Sequence, residues 1–384
     1  MRNFFDELKS FFRKGDMVLL ILCLCISAFG CLIIASTNNY RGFTRYVFMQ
    51  ILAIAIGVFA YAFMSSLDLE KLSEHRVILI GVSLFCLLLL IPFGTDLGSG
   101  NKSWLDLPLL PMYIQPAEIC KIFYILITAS VMNAHQQHIS RPRSVIHMLF
   151  ILGLLVGTNL LVSKDMGVSL IFVFIFIGMA FGGGVHLGWF AAGGGLIAAA
   201  APVAWNYLAE HQKKRILVLI DPTIDPLGID ERYHLVRSLK SLTGGGLLGQ
   251  GLFNGNRTQA GVLPSQHTDF IFSAIGEELG YVGCVLVLLM LLAVIARCIW
   301  VGCQSKDFMR RMVCFGAASA LIFQVCVNVG MCMGVMPVIG LTLPLISYGG
   351  SSVVTIYAML GLVSGVHARP APRSHERYIR PPRY

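Results

Sequence analysis

Charge is what this sequence has least of. Asp, Glu, Lys and Arg make up 13% of its 384 residues, against about a quarter in an average soluble domain. So few charges cannot clothe a water-soluble fold of this length. Eleven cysteines are present, but none forms a CxxC pair, which argues against a zinc ribbon or a thioredoxin-like redox centre. Cys86, Cys284, Cys314 and Cys326 sit in apolar runs, and Cys23 and Cys25 face different sides of one helix. They are expected to be small buried hydrophobes. There is no internal repeat and no polar stretch that could make a separate soluble domain. The glycine cluster Gly244–Gly251 lacks the Lys-Ser/Thr ending of a nucleotide-binding P-loop.

What the chain has is apolar runs of membrane-spanning length, in keeping with a hydrophobic content of 56%. They predict an all-α integral membrane protein with about ten transmembrane helices. The expected spans are Met17–Ala35, Val47–Met64, Val77–Phe93, Pro116–Met132, Val145–Val162, Val168–Phe181, Leu187–Leu208, Phe270–Ala296, Val313–Met333 and Val353–Val366. The fourth and sixth are the least typical, being charged or short. A large loop, residues 209–269, separates helices 7 and 8. The first run is read as a retained span, because no small-residue cleavage site follows it.

An even number of spans puts both termini on one side. Arg2, Lys9, Arg13 and Lys14 precede the first span, and Arg141 and Arg143 join the fourth and fifth. Arg297, Lys306, Arg310 and Arg311 join the eighth and ninth, and five arginines fill the tail. This pattern predicts cytoplasmic termini: residues 1–16, and a basic tail over 368–384 lying on anionic lipid. Residues 17–367 form the membrane domain, and the 209–269 loop is extracytoplasmic. The net charge of +9 is accounted for by these loops, so no nucleic-acid partner is expected.

Polar residues at membrane depth are the candidates for chemistry, since they are costly in lipid. The stretch from Leu263 to Gly280 begins as a polar turn with His267, Thr268 and Asp269 and becomes an apolar helix. Either Thr268 or Asp269 merely caps that helix, or the turn is an active site. Glu118 and Lys121 are three apart on one helix face, as an ion pair or as a cavity in which Lys121 meets an anionic group. Trp104 is either an interfacial belt residue or a sugar-stacking platform. Asp165, in the turn between spans five and six, is either solvated or a second acidic site. Within the long loop, Arg215 is a candidate partner for diphosphate, and the glycine cluster suggests a flexible lid. Gly182–Gly184 suits a tight turn and Gly193–Gly195 close helix packing. Residues Gly334–Ser352 are apolar but rich in Pro and Gly. They form either a bent connector or a re-entrant segment lining a pocket, with Ser347, Ser351 and Ser352 as donors.

In this order, these pieces resemble the SEDS family (shape, elongation, division and sporulation). The resemblance rests on Gln115-Pro-Ala-Glu118 with Lys121, Asp165-Met-Gly167, Arg215 to Asp221-Pro and Asp225-Pro-Leu-Gly228. It continues through Tyr233-His234, Ser238, Leu263 to Gly280, Asn328, Pro337 and Leu343 to Ser352. Length and the short N-terminus are nearer the RodA branch than the FtsW or sporulation branches. Lys164, Arg237, Ser103 and Ala117 depart from the family's usual Pro, Gln, Arg and Ser.

The resemblance implies a ten-span peptidoglycan glycosyltransferase in the bacterial cytoplasmic (inner) membrane. It would polymerise lipid II at the outer face for elongation and rod shape. A class B penicillin-binding protein and other elongation-complex membrane proteins would be its partners. The family's essential acid falls on Asp269. Two roles stay open for it: general base, or holder of a divalent cation (Mg or Mn). No organic cofactor is expected. The competing readings are a lipid II flippase and a scaffold that only recruits a transpeptidase.

Overall fold

The computed structural model describes residues 15–39, 42, 44–96, 101–106, 112–207, 213–214, 217–219, 221–225, 232–263 and 265–369. Arg215, most of the basic tail and the N-terminal cluster therefore lie outside the described residues. The molecule is a helical bundle. In chain order it has α1 (Met17–Thr37), α2 (Thr44–Ser66), α3 (Leu69–Glu74), α4 (Arg76–Leu88), α5 (Leu90–Phe93), α6 (Pro116–Ala134) and α7 (Pro142–Val162). It continues with α8 (Met166–Gly182), α9 (Leu187–Tyr207), α10 (Tyr233–Gly244), α11 (Asn256–Gln259), α12 (Ile271–Gln304), α13 (Phe308–Cys332) and α14 (Gly350–Ala368).

Each of the ten expected segments is helical. Among the described residues, eight are long and apolar enough to cross a membrane by length and composition, and Met166–Gly182 and Leu187–Val203 are shorter apolar stretches. The third breaks between α4 and α5. Pro92 has no N–H, and its ring crowds the carbonyl four residues back, so the helix cannot run on smoothly. Local signals start the others. Asp16, Asp165 and Asp307 cap α1, α8 and α13 through their carboxylates, and Pro116 and Pro142 open α6 and α7.

Three helices form the middle of the bundle. In their spanning windows, 83% of α14 and 72% of α6 and α13 are buried, against 22–44% in the other five. Small residues let α14 lie close to α2. A Cβ at Gly361 would sit 2.5 Å from the Tyr61 carbonyl, and one at Gly365 would sit 2.9 Å from that of Ser65. Gly184 takes φ +82° and makes the expected turn. Gly193–Gly195 pack against no other helix of the described residues: they are exposed on α9, and no described atom lies within 4 Å of where their Cβ atoms would be.

The two ends of the bundle differ. At one end, Arg297 holds Asp16 through two contacts of 2.9 and 3.0 Å. Arg310 there donates to the Arg369 carbonyl (2.6 Å). Both described chain ends therefore lie together. The other end carries the candidate site.

Between α13 and α14 the chain is irregular, with a half-exposed first part and a buried second part from Leu341 to Ser347. Gly334, Gly340 and Leu345 have positive φ, and Leu341, Leu343, Leu345, Ile346 and Ser347 are buried. A Cβ at Gly30 of α1 would sit 2.7 Å from the Ile346 carbonyl. Gly30 lies seven residues before the end of α1, or about 10 Å along its axis. The segment is re-entrant, not a surface connector. Several of its buried backbone groups are paired, as burial favours. Leu343 N–H donates to Ser347 Oγ (2.8 Å), and Asn328 Nδ2 donates to the Leu341 carbonyl (2.7 Å). Gln50 Nε2 donates to the Ser347 carbonyl (3.2 Å).

Candidate active site

The turn before α12 is anchored by its backbone. Tyr348 N–H donates to the His267 carbonyl (2.8 Å). Ser347 Oγ donates to the Thr268 carbonyl (2.6 Å), and Asn328 Nδ2 to the Asp269 carbonyl (2.8 Å). Three successive carbonyls are thus tied to the re-entrant segment and α13. Ring contacts add support. His267 meets Tyr46 edge-on at 5.3 Å, and His234 of α10 stacks on Phe270 at 5.9 Å.

With its backbone so tied, Asp269 has a side chain with no hydrogen bond or ion pair among the described residues. It does not cap α12. The N-cap position is Phe270, and no side chain caps the helix there. Thr268 Oγ1 turns instead to the Ser265 carbonyl (3.2 Å). The capping alternative is therefore removed for both residues. The residue keeps intermediate exposure, and protein surrounds the carboxyl group closely enough that desolvation raises its pKa to about 6. Its Oδ2 would be 3.8 Å from a Cβ at Gly340, so glycine leaves that side low.

A second cluster lies across the re-entrant segment. Lys121 Nζ meets Glu118 Oε2 at 2.7 Å, with both side chains about 5% exposed or less. Thr355 Oγ1 of α14 donates to the same oxygen (3.0 Å). Asp165 Oδ2 accepts from Gln115 Nε2 (2.9 Å), while its Oδ1 caps α8 at Val168 N (3.1 Å). Burial pushes the Asp165 carboxyl above its ordinary range and the charge of Glu118 adds to this, against the pull of the Val168 N–H. Trp104 is held in a short antiparallel pair with Thr95, next to buried Ser103. The two clusters are back to back. Gly167, beside Asp165, packs on the Ile339 carbonyl and Leu341, and Gly340 between them faces Asp269.

The structure thus joins His267, Thr268, Asp269 and Ser347 in one group. It joins Glu118, Lys121 and Asp165 in another, with Ser103–Trp104 beside them. Ser347 and Thr268 have their hydroxyls committed to backbone carbonyls. Ser351 is buried with no partner for its Oγ. Asp269 alone among these combines an uncommitted charged group with access.

The profile of the cell cycle protein family FtsW/RodA/SpoVE matches residues 16–371. The chain belongs to this family, the SEDS family. It is 34% identical over 290 residues to peptidoglycan glycosyltransferase MrdB of Escherichia coli (strain K12), covering 74% of this chain and 76% of that protein. It is 31% identical over 365 residues to a probable peptidoglycan glycosyltransferase FtsW of Methylomonas methanica, covering 92% of each. Its fold matches a solved chain from a peptidoglycan synthase complex that coordinates polymerization and crosslinking. There the TM-score is 0.77 and the identity 31%, over 95% of this chain and 99% of that one. It is, like them, an all-helical multi-pass membrane protein.

In this SEDS chain the long loop corrects one expectation. The Gly244–Gly251 cluster is not a flexible lid. Gln250 N–H donates to the Glu277 carbonyl (3.0 Å) and Gly251 N–H to that of Glu278 (2.9 Å). Gly280 breaks α12 with φ +67°, and a Cβ there would lie 2.4 Å from Gly249 N. Two glycine backbones lock together at the kink, and the amides of Gly249, Gln250 and Gly251 are already used.

Further buried groups went unread in the sequence. Glu277 accepts from Arg257 N (2.7 Å), Thr258 N (3.2 Å) and Thr258 Oγ1 (2.9 Å). Glu278 accepts from Ser36 Oγ (2.6 Å) and Gln259 Nε2 (2.9 Å). Their signal, two adjacent acids inside an apolar helix, was visible in the sequence.

Proposed function

We propose that this SEDS protein is a peptidoglycan glycosyltransferase that polymerises lipid II at the outer face of the bacterial cytoplasmic membrane. The observation that carries the reading is the Asp269 carboxylate, uncommitted, reachable and fixed through its own backbone. The acceptor's glucosamine 4-hydroxyl attacks the anomeric carbon of the donor muramyl residue. Asp269 takes the hydroxyl proton, the new C–O bond forms, and the polyprenyl diphosphate leaves with its bonding pair. One displacement inverts the anomeric centre. A base whose pKa is raised toward neutrality holds the proton more readily while remaining largely ionised at pH 7. General-base action of this kind is worth about 10²–10⁴-fold.

A divalent cation is the other role open to Asp269. Among the described residues no three His, Cys, Asp or Glu side chains cluster to hold a metal. A Mg²⁺ or Mn²⁺ ion would be held here by Asp269. It would supply neutralisation of the departing diphosphate.

The bundle end carrying Asp269 faces outward in this reading, with the described chain ends cytoplasmic. Elongation and rod shape are the assigned process, supported by the likeness to the rod shape determining protein RodA of Thermus thermophilus, 28% identical with a TM-score of 0.70. A class B penicillin-binding protein is the expected partner, docked on the lipid-facing helices. The deciding experiment uses purified Asp269→Asn protein and labelled lipid II in detergent at several divalent-ion concentrations. Well-folded protein that makes almost no polymer supports the reading. Near-normal polymer formation overturns it. Detergent removes sidedness, so a pure flippase or scaffold yields no polymer even as wild type.

A further inference from the structure

At the bundle end that carries the described chain ends, two histidines from different helices face each other. His135 closes α6 as its C-cap, and His147 stands in the second turn of α7. His135 Nε2 and His147 Nδ1 are 3.3 Å apart, with the ring planes crossing at 89°. His147 is exposed and His135 half-buried, so solvent reaches the pair. Ser130 Oγ donates to the Ser73 carbonyl (3.2 Å), which ties this end of α6 to α3, and Glu70 of α3 meets Arg310. His135 lies fourteen residues beyond Lys121, or about 21 Å along α6. The pair is therefore remote from the site described above.

The link between the two helices is held in place. Ser144 Oγ donates to the His138 carbonyl (2.9 Å). From the start of α9, His186 N–H donates to Ser140 Oγ (3.0 Å) and Trp189 Nε1 to the Ser140 carbonyl (2.9 Å). The imidazoles are thus presented by a fixed turn.

Their separation has a meaning in coordination chemistry. Zinc takes imidazole nitrogen at about 2.0–2.1 Å in tetrahedral sites, which sets two nitrogens on one ion about 3.3 Å apart. Without an ion, one of the facing nitrogens donates its proton to the other. With an ion, that proton passes through solvent to the far nitrogen of its own ring, and both facing nitrogens offer lone pairs. Neutral imidazole suits Zn²⁺, Ni²⁺ and Cu²⁺. The charge of Arg76 reaches His147 and opposes any cation held by charge alone. Mg²⁺ and Ca²⁺, which take oxygen ligands, are disfavoured on both counts.

We propose that His135 and His147 form a two-imidazole site for a divalent transition-metal ion of the zinc class, which clamps the end of α6 to the start of α7. No third His, Cys, Asp or Glu completes a cluster among the described residues, so water fills the remaining positions. The site does not rest on the glycosyl-transfer reading. In the orientation given there, it faces the cytoplasm.

The test titrates untagged full-length protein in detergent with zinc chloride, by calorimetry and by thermal midpoint. Zn²⁺ raises the midpoint, because a site built from two helices binds the folded chain and not the unfolded one. His135→Asn and His147→Asn each weaken binding about tenfold or more. His138→Asn, in the same turn, binds like wild type. The metal-free midpoint of each variant stays at the wild-type value, and His135→Gln and His147→Gln repeat the test where an Asn variant loses it. Magnesium chloride shifts nothing. With Cu²⁺ as the probe, electron paramagnetic resonance shows two nitrogen ligands in wild type and one in either variant. Wild-type Zn²⁺ affinity in either His135→Asn or His147→Asn overturns the site and makes the bound metal an adventitious ion only. A loss in His138→Asn as large as in the pair overturns it too.

Discussion

Glu277 and Asp269 stand eight residues apart on one helix and its lead-in, and they are opposites. Glu277 is completely buried, and its two oxygens collect three donors from α11. Asp269 has its backbone carbonyl held by Asn328 and its carboxylate held by nothing among the described residues. The first side chain builds structure with its charge. The second is built by its surroundings so that its charge stays available. Glu118 belongs with Glu277, since Lys121 and Thr355 use its carboxylate inside the bundle. An acid at membrane depth is thus a prompt for function, and its hydrogen bonds decide which kind of acid it is.

The largest expected effect comes from breaking the paired kind. Lys121→Ala leaves the Glu118 carboxylate buried with only Thr355, and should destabilise by roughly 3–5 kcal/mol. The double change Glu118→Gln with Lys121→Met should restore the thermal midpoint without restoring polymerisation. If polymerisation returns as well, the pair is structural only.

Ser347 is a smaller test of the same division. Its hydroxyl bridges Leu343 N–H and the Thr268 carbonyl at 2.8 and 2.6 Å. Ser347→Ala should cost roughly 1–3 kcal/mol of stability and leave KM for lipid II unchanged where the protein is folded. A raised KM with an unchanged midpoint would make Ser347 a substrate contact after all.

Acidity sharpens the contrast from the other side. Asp269, pushed up to about 6, must be ionised to accept a proton. Polymerisation should fall as pH drops through 6, by about tenfold per unit well below it. Initial rates between pH 5 and 8 check this, and a flat profile across that range would remove Asp269 as the base.

Much of this was legible in the chain. The helical segments followed from apolar run length, and the Glu118–Lys121 pair from a spacing of three. The re-entrant segment followed from Pro337, Gly340 and Pro344 in an apolar stretch. Where the sequence reading failed, the cause was tertiary. Local sequence suggested a cap at Thr268 or Asp269, but carbonyl anchors from Ser347 and Asn328 turn those side chains away from α12. Gly244–Gly251 looked mobile because glycine loops usually are. Here the absent Cβ atoms serve close approach to the Gly280 kink. Gly193–Gly195 looked like a packing face, but helix contact needs a neighbour, and among the described residues α9 has none on that side.

The central claim is that Asp269 is the available carboxylate and Glu277 the committed one. It is tested most directly by measuring the thermal midpoint and lipid II polymerisation side by side in Asp269→Asn and Glu277→Gln. The raised pKa of Asp269 means that the fold favours its neutral form. That contribution is full below about pH 4 and lost as pH rises through about 6, so at neutral pH the ionised group costs about 1–3 kcal/mol. Asp269→Asn should therefore raise the midpoint at pH 7.5 and abolish polymer formation. Glu277→Gln should lower the midpoint by losing a charge-assisted hydrogen bond, roughly 1.5–3 kcal/mol, and keep near-normal turnover in the folded fraction. The account is contradicted if the pattern reverses, with Asp269→Asn less stable but active, and Glu277→Gln stable but inactive.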